Sequence, residues 1–146
     1  MMARGTLYVV NAFTETLADG THDMDTDVFK MALVSDMPSA TTTILANVNE
    51  VVGTGYTAGG KELTKTWERS GGVTSWKCLN TLLWSRDDNG PDNIKAGVIY
   101  NASSVNDDVV CYVDFTENGG VTPISLRVGD VSWTAGAGSV LFKVSV

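Results

Sequence analysis

Three segments constrain this chain more than any others: Val28–Val34, Ile94–Tyr100 and Val109–Phe115. Each is short, apolar and rich in β-branched or aromatic residues, and turn-forming residues stop it. Val28-Phe29-Lys30-Met31-Ala32-Leu33-Val34 ends at Ser35-Asp36-Met37-Pro38. A short polar linker, Asn101 to Asp108, separates the second segment from the third, which predicts an antiparallel pair. None approaches the roughly 18 consecutive apolar residues of a membrane-spanning helix.

The rest of the chain follows the same plan. Glu62-Leu63-Thr64-Lys65-Thr66-Trp67 alternates, with Leu63 and Trp67 on one face and the threonines on the other. Val73 to Trp84 reads as a further strand, bounded upstream by Gly71-Gly72. Asp87-Asp88-Asn89-Gly90-Pro91-Asp92 is a dense turn signal. In the last strand Val140, Phe142, Val144 and Val146 are expected to face one way, and Ser139, Leu141, Lys143 and Ser145 the other. Such punctuated strands predict an all-β sandwich or barrel.

The N-terminal part holds the helix candidate. Asn11 is a plausible N-cap, Ala12, Phe13, Leu17 and Ala18 can share a face, and Gly20 suits a left-handed C-terminal cap. An extended arm would fit the first residues equally well. The expected organisation is an arm or short helix over residues 1–20 and a β-domain over residues 21–146.

Composition narrows the chemistry. The 146 residues carry ten Lys+Arg against seventeen Asp+Glu, a formal charge of −7. Nucleic acids and anionic membranes are poor partners for such a balance, because both bind through clustered Lys and Arg. With one histidine, His22, and two cysteines, Cys78 and Cys111, no spacing suits a metal site or a Cys–His or Ser–His–Asp centre. No enzyme, metal or cofactor is expected. Met1 to Thr6 holds one basic residue and Leu7–Val10 is too short for a signal-peptide core, so the protein is expected to act where it is made or to be built into something there.

Two motifs look like ligand sites and fail on detail. Gly55-Tyr56-Thr57-Ala58-Gly59-Gly60-Lys61-Glu62 approaches a phosphate-binding loop, but Glu62 stands where Ser or Thr should hold magnesium, and a strand pattern follows. Asp23, Asp25 and Asp27 copy the first three ligands of a calcium loop, yet Val28 and Val34 replace its essential Gly and Glu. A glycine-rich connection and an acidic turn explain both. Asn101-Ala102-Ser103 matches a glycosylation sequon and is read as a loop. Trp67, Trp76, Trp84 and Trp133 lie in or beside strands, where packing in a core or interface is the first expectation.

Several blocks in order resemble small virion proteins of tailed bacteriophages. They are His22–Asp27 with Phe29–Leu33, Thr43–Val51 followed by Gly55–Gly60, and Ile94–Asn101 before Val110–Phe115. Gly-Tyr-Thr-Ala-Gly-Gly is the most specific, and together they span about residues 10 to 116. The Trp67–Trp84 segment departs from the smaller, Thr- and Ser-rich stretch such proteins carry there. The resemblance implies a non-enzymatic β-sandwich or jelly-roll protein of the virion, assembled in the host cytoplasm. It also implies a decoration (cement) protein bound to the major capsid protein on the outside of the head. A homo-oligomer is implied with it, first a trimer, since cement proteins often occupy local three-fold axes. A tail tube, tip or fibre protein and a small carbohydrate-binding β-sandwich are the alternatives. The apolar arm Met1–Phe13 is the expected contact with capsid or a neighbouring subunit, through Leu7, Tyr8, Val9, Val10 and Phe13.

Overall fold

The computed structural model describes residues 5–116, 118–136 and 140–145. The chain is all-β, and what helix it has is short. In order come β1 (Thr6–Val9), α1 (Phe13–Ala18), β2 (Phe29–Val34), a 3-10 turn at Leu45–Asn47, β3 (Lys61–Glu62), β4 (Lys65–Ser70) and β5 (Val73–Cys78). After them follow β6 (Leu82–Trp84), β7 (Ala96–Asn101), β8 (Val109–Asp114), β9 (Val131–Trp133) and β10 (Val140–Ser145). They form sheets of order β1-β8-β7-β2-β3, β10-β5-β4 and β6-β9, with every pairing antiparallel.

The three segments that stood out in the sequence are the middle of the largest sheet. Every residue of β7 and β8 is buried, and so is every residue of β2 except Lys30. Burial on both faces is why these strands read as continuous apolar runs and show no in–out alternation. The register places Met31 beside Ile99, Ile99 beside Cys111, and Cys111 beside Val9 on one face. Phe29, on that face, meets Trp76 of β5 edge-on with ring centroids 4.9 Å apart. Phe142 of β10 lies 5.2 Å from Trp76 and 4.9 Å from Phe13, and Trp67 of β4 packs against it from 5.9 Å. Such ring pairs each add roughly 0.5–1.5 kcal/mol beyond their buried area. The indole N–H of Trp76 is satisfied by the Met24 carbonyl at 3.2 Å.

The N-terminal segment belongs to this architecture. β1 pairs with β8 from Thr6↔Asp114 to Val9↔Cys111, and α1 delivers Phe13 into the core. The expected Asn11 cap is absent: Ala12 takes the N-cap position without a side-chain bond, and Asn11 gives only its carbonyl to the Thr14 hydroxyl. Gly20 does adopt a positive φ of 85°. Two expected strands are each broken. Leu63 and Thr64 separate β3 from β4, and the residues around Asn80 separate β5 from β6. At that second break the Asn80 side-chain oxygen accepts from the Thr64 amide at 2.8 Å while its amide donates to the Glu62 carbonyl at 3.3 Å. One asparagine thus ties both interruptions together.

In β10 the expected two faces do not hold. Leu141 is buried, and the pairing with β5 slips between Val140 and Phe142. A slip of this kind redirects side chains across the bulge, so a strict period of two fails there. Ser139 and Val146 lie outside the described residues, as do Met1 to Arg4 and the side chains of Val144 and Ser145.

One edge of the large sheet is sealed by a loop. β3 pairs only with Lys30 and Met31, which leaves the outer side of the end of β2 without a strand partner. The Tyr56 hydroxyl accepts from the Leu33 amide at 3.1 Å and donates to Glu50, while the Leu33 carbonyl accepts from the Val51 amide at 2.9 Å. The same Glu50 carboxylate takes the Gly59 amide at 2.6 Å, and Tyr100 donates to the Gly59 carbonyl at 2.6 Å. Burial and the Glu50 carboxylate push the Tyr56 hydroxyl far up, and burial lifts Tyr100 to about 12. Both hydroxyls therefore remain protonated donors at any ordinary pH.

Gly60 crosses directly over β2. A Cβ there would stand 1.8 Å from the Met31 carbonyl oxygen, and its φ is 79°. Gly71 in the β4–β5 hairpin shares the positive φ but has nothing within 4 Å. Gly71→Ala should therefore cost about 1–2 kcal/mol, the left-handed penalty alone. Gly60→Ala should cost roughly 3–5 kcal/mol or abolish folding, because backbone must also move. Urea denaturation of both variants checks the difference, and equal costs would refute this account of the crossing.

Candidate interaction surface

The five arm residues expected to meet a partner divide between the core and the surface. Val10 and Phe13 are buried in the chain's own core at 1 % and 4 % exposure, so the argument that they need an outside partner no longer applies to them. Leu7 and Tyr8 are half-buried against the same core, and Tyr8 stacks on Tyr112 with centroids 5.2 Å apart. Val9 is the exposed one, at 41 %. Among the described residues of the arm, what remains as a surface is the outer edge of β1.

A second surface was not visible in the sequence. Three loops meet at the end of the large sheet where β2 finishes and β7 begins. The Thr54 amide donates to the Asn89 carbonyl at 3.2 Å, Leu126 donates to Pro91 at 2.9 Å, and Asp87 donates to Leu126 at 3.1 Å. The Arg127 guanidinium adds a bond to the Gly90 carbonyl at 2.7 Å and lies 3.3 Å from Asp92. Asp87 and Asp130 accept backbone amides from Asn89 and Arg86, so the acidic turn read from the sequence serves as loop scaffolding. On this framework Val52 and Val128 stand 89 % and 83 % exposed, each lining an open depression, of about 500 and 390 Å³ respectively. Val121, 68 % exposed, is on the neighbouring loop that Gly120 rests against Met37. Single exposed valines were indistinguishable from ordinary loop residues in sequence; only the tertiary bonds gather them at one end.

The motifs that resembled ligand sites serve the fold. The phosphate-loop look-alike is the edge seal described above, with Gly55, Gly59 and Gly60 all at positive φ. In the acidic turn Asp23 accepts from the amides of Asp25 and Thr26, both at 3.1 Å, while Asp27 accepts from the Asp23 amide at 2.9 Å. Those bonds, with the Thr26 partner first, hold the Asp23 carboxyl below its usual range. Asn101 of the sequon is fully buried and its side chain is already bonded. Among the described residues no three His, Cys, Asp or Glu side chains converge to hold a metal, and no helix is long and apolar enough to cross a membrane. Cys78 and Cys111 are free, buried thiols whose burial raises their pKa. Trp76, Trp84 and Trp133 are buried and Trp67 is half-buried against Phe142, so a sugar-stacking platform finds no freely exposed indole among them.

Comparison with family models, with curated proteins and with solved structures finds no match to this chain.

One buried polar cluster sets a pH response. His22 is 5 % exposed, between the rings of Phe13 and Phe29. The Asn101 side-chain amide donates to Asp27 at 2.7 Å and lies 3.1 Å from His22 Nδ1, which makes Nδ1 the acceptor and puts the ring proton on Nε2. Among the described residues Nε2 has no partner. Desolvation holds His22 below its ordinary value, outweighing the nearby charges of Asp108, Asp27 and Asp19, which pull it up. The unfolded chain therefore takes up a proton at pH near 6.5 that the folded chain refuses. Stability should fall as pH drops from 7.5 through about 6.5, until the lowered folded value is passed. Denaturation at a series of pH values checks this against His22→Phe; parallel curves for the two proteins between pH 7.5 and 5 would contradict it.

Proposed function

We propose that this chain is a non-enzymatic structural protein of a tailed-phage virion. In this reading it decorates the outside of the head and stabilises it by binding the major capsid protein. The blocks that carry the resemblance supply the motive. Their most specific member, Gly55–Gly60, seals a sheet edge through Tyr56, Gly59 and Gly60 and is spent on architecture. The observation that carries the reading is the rigid loop end presenting Val52, Val121 and Val128 at 68 % exposure or more. Exposed apolar side chains on a loop framework held by backbone bonds suit a protein contact.

The large sheet and β10-β5-β4 form the two layers of a β-sandwich in this reading. The contact of Phe29 with Trp76 between them supports it. Each contact with the shell is small, and many copies on a symmetric lattice multiply its effect. The acidic surface, −7 per chain, keeps the free protein soluble before it is captured.

The double variant Val52→Asp/Val128→Asp tests the surface, since neither side chain contributes to the core. Its thermal stability should match wild type within about 0.5 kcal/mol for each substitution. Co-sedimentation with purified heads should weaken at least about tenfold, the loss of roughly 1.4 kcal/mol. Undiminished binding would assign the contact to another face.

A further inference from the structure

We propose that β1 is a self-pairing edge, through which two copies of this chain join their large sheets about a two-fold axis. The two edges of that sheet are treated oppositely. On the β2 side, β3, Tyr56 and the Val51 amide occupy the outward backbone groups. On the β1 side, Val10 donates to Val110 at 3.2 Å and Tyr8 is registered against Tyr112. Antiparallel alternation then turns the N–H and C=O of Leu7 and Val9 away from β8. No backbone bond joins either residue to another described segment across that edge.

Exposed edges are ordinarily blunted by charge, proline or a bulge. β3 consists of Lys61 and Glu62, β4 carries Lys65, Glu68 and Arg69, and β10 carries Lys143. β1 is Thr-Leu-Tyr-Val, with no charge, no proline and an unbroken register. Among the described residues it is the edge strand of the two larger sheets that carries no charge, proline or bulge.

The geometry selects a second β1 as the occupant. Antiparallel pairing centred on Tyr8 sets Leu7 opposite the second copy's Val9, and the reverse, closing about four N–H···O bonds from groups that already point outward. The two Tyr8 rings then meet at the centre as a non-hydrogen-bonded pair, where side chains approach most closely. Each ring already stacks on its own Tyr112, with planes 26° apart, so the pairing aligns four tyrosines across the joined sheets. A cyclic trimer joining the two larger sheets would instead need β1 to meet β3, β4 or β10, all of which carry charge. The contact is thus two-fold, in place of the three-fold one expected from the resemblance. With −7 on each chain, association should strengthen as salt is added.

The inference does not rest on the head-decoration reading and is tested on the isolated protein. Sedimentation velocity over a concentration series should show a monomer–dimer equilibrium that tightens with salt and weakens at least tenfold in Val9→Lys. Tyr8→Cys, under mild oxidation, should give a disulfide-linked dimer on a non-reducing gel, while wild type, whose Cys78 and Cys111 are buried, should not. If Val9→Lys does not fold, the Tyr8→Cys cross-link decides alone. A wild-type chain that stays monomeric at every concentration and salt overturns the proposal. So does a dimer or trimer that Val9→Lys leaves intact and Tyr8→Cys does not cross-link.

Discussion

The contact of Phe29 with Trp76 is the interaction on which the other packing rests. A sheet buried on both faces cannot stand unless something covers each face, because exposed apolar strands would aggregate. Trp76 and Phe142 cover one face and bring β5 and β10 with them; Phe13 and Trp67 close the cluster around Phe142. The N-terminal segment is held by the same cluster, since Phe13 reaches it only if β1 lies along β8. Removing Trp76 would therefore loosen three sheet segments at once.

Sealing a sheet is as demanding as covering it. The chain spends its most distinctive segment, Gly55–Gly60, on one edge, where a hydroxyl and a carboxylate replace a missing strand. Among the described residues, no segment bonds to the outward backbone groups of Leu7 and Val9 at the other edge. Under the pairing proposed for β1, that asymmetry separates an edge finished internally from one finished by another chain. The loop end with Val52, Val121 and Val128 is a different kind of surface, made of exposed apolar side chains on loops and not of a strand edge.

How far the sequence could be read depended on local physics. β2, β7 and β8 were legible because burial on both faces removes polar residues from a short run. The Asp87–Asp92 turn was legible because Asp, Asn, Gly and Pro each have a local reason to be there. β9 escaped notice because three residues, Val-Ser-Trp, carry no period. The breaks at Leu63–Thr64 and near Asn80 were hidden because one side chain, Asn80, makes bonds across sixteen and eighteen residues of separation. In the arm, apolarity correctly signalled that Leu7, Val10 and Phe13 seek cover, but composition could not tell an internal cover from an external one. The buried setting of His22 was hidden likewise, since only the folded chain brings Phe13, Phe29 and Asn101 around it.

The proposed function makes the chain a building block that works by occupying a place. Electron cryomicroscopy of intact particles, with this chain located by a fused tag or labelled antibody, tests that account most directly. The account predicts density for this protein in repeated copies on the outer face of the head, with the Val52–Val128 end against the shell. Density confined to the tail, or particles that lack the protein altogether, would contradict it.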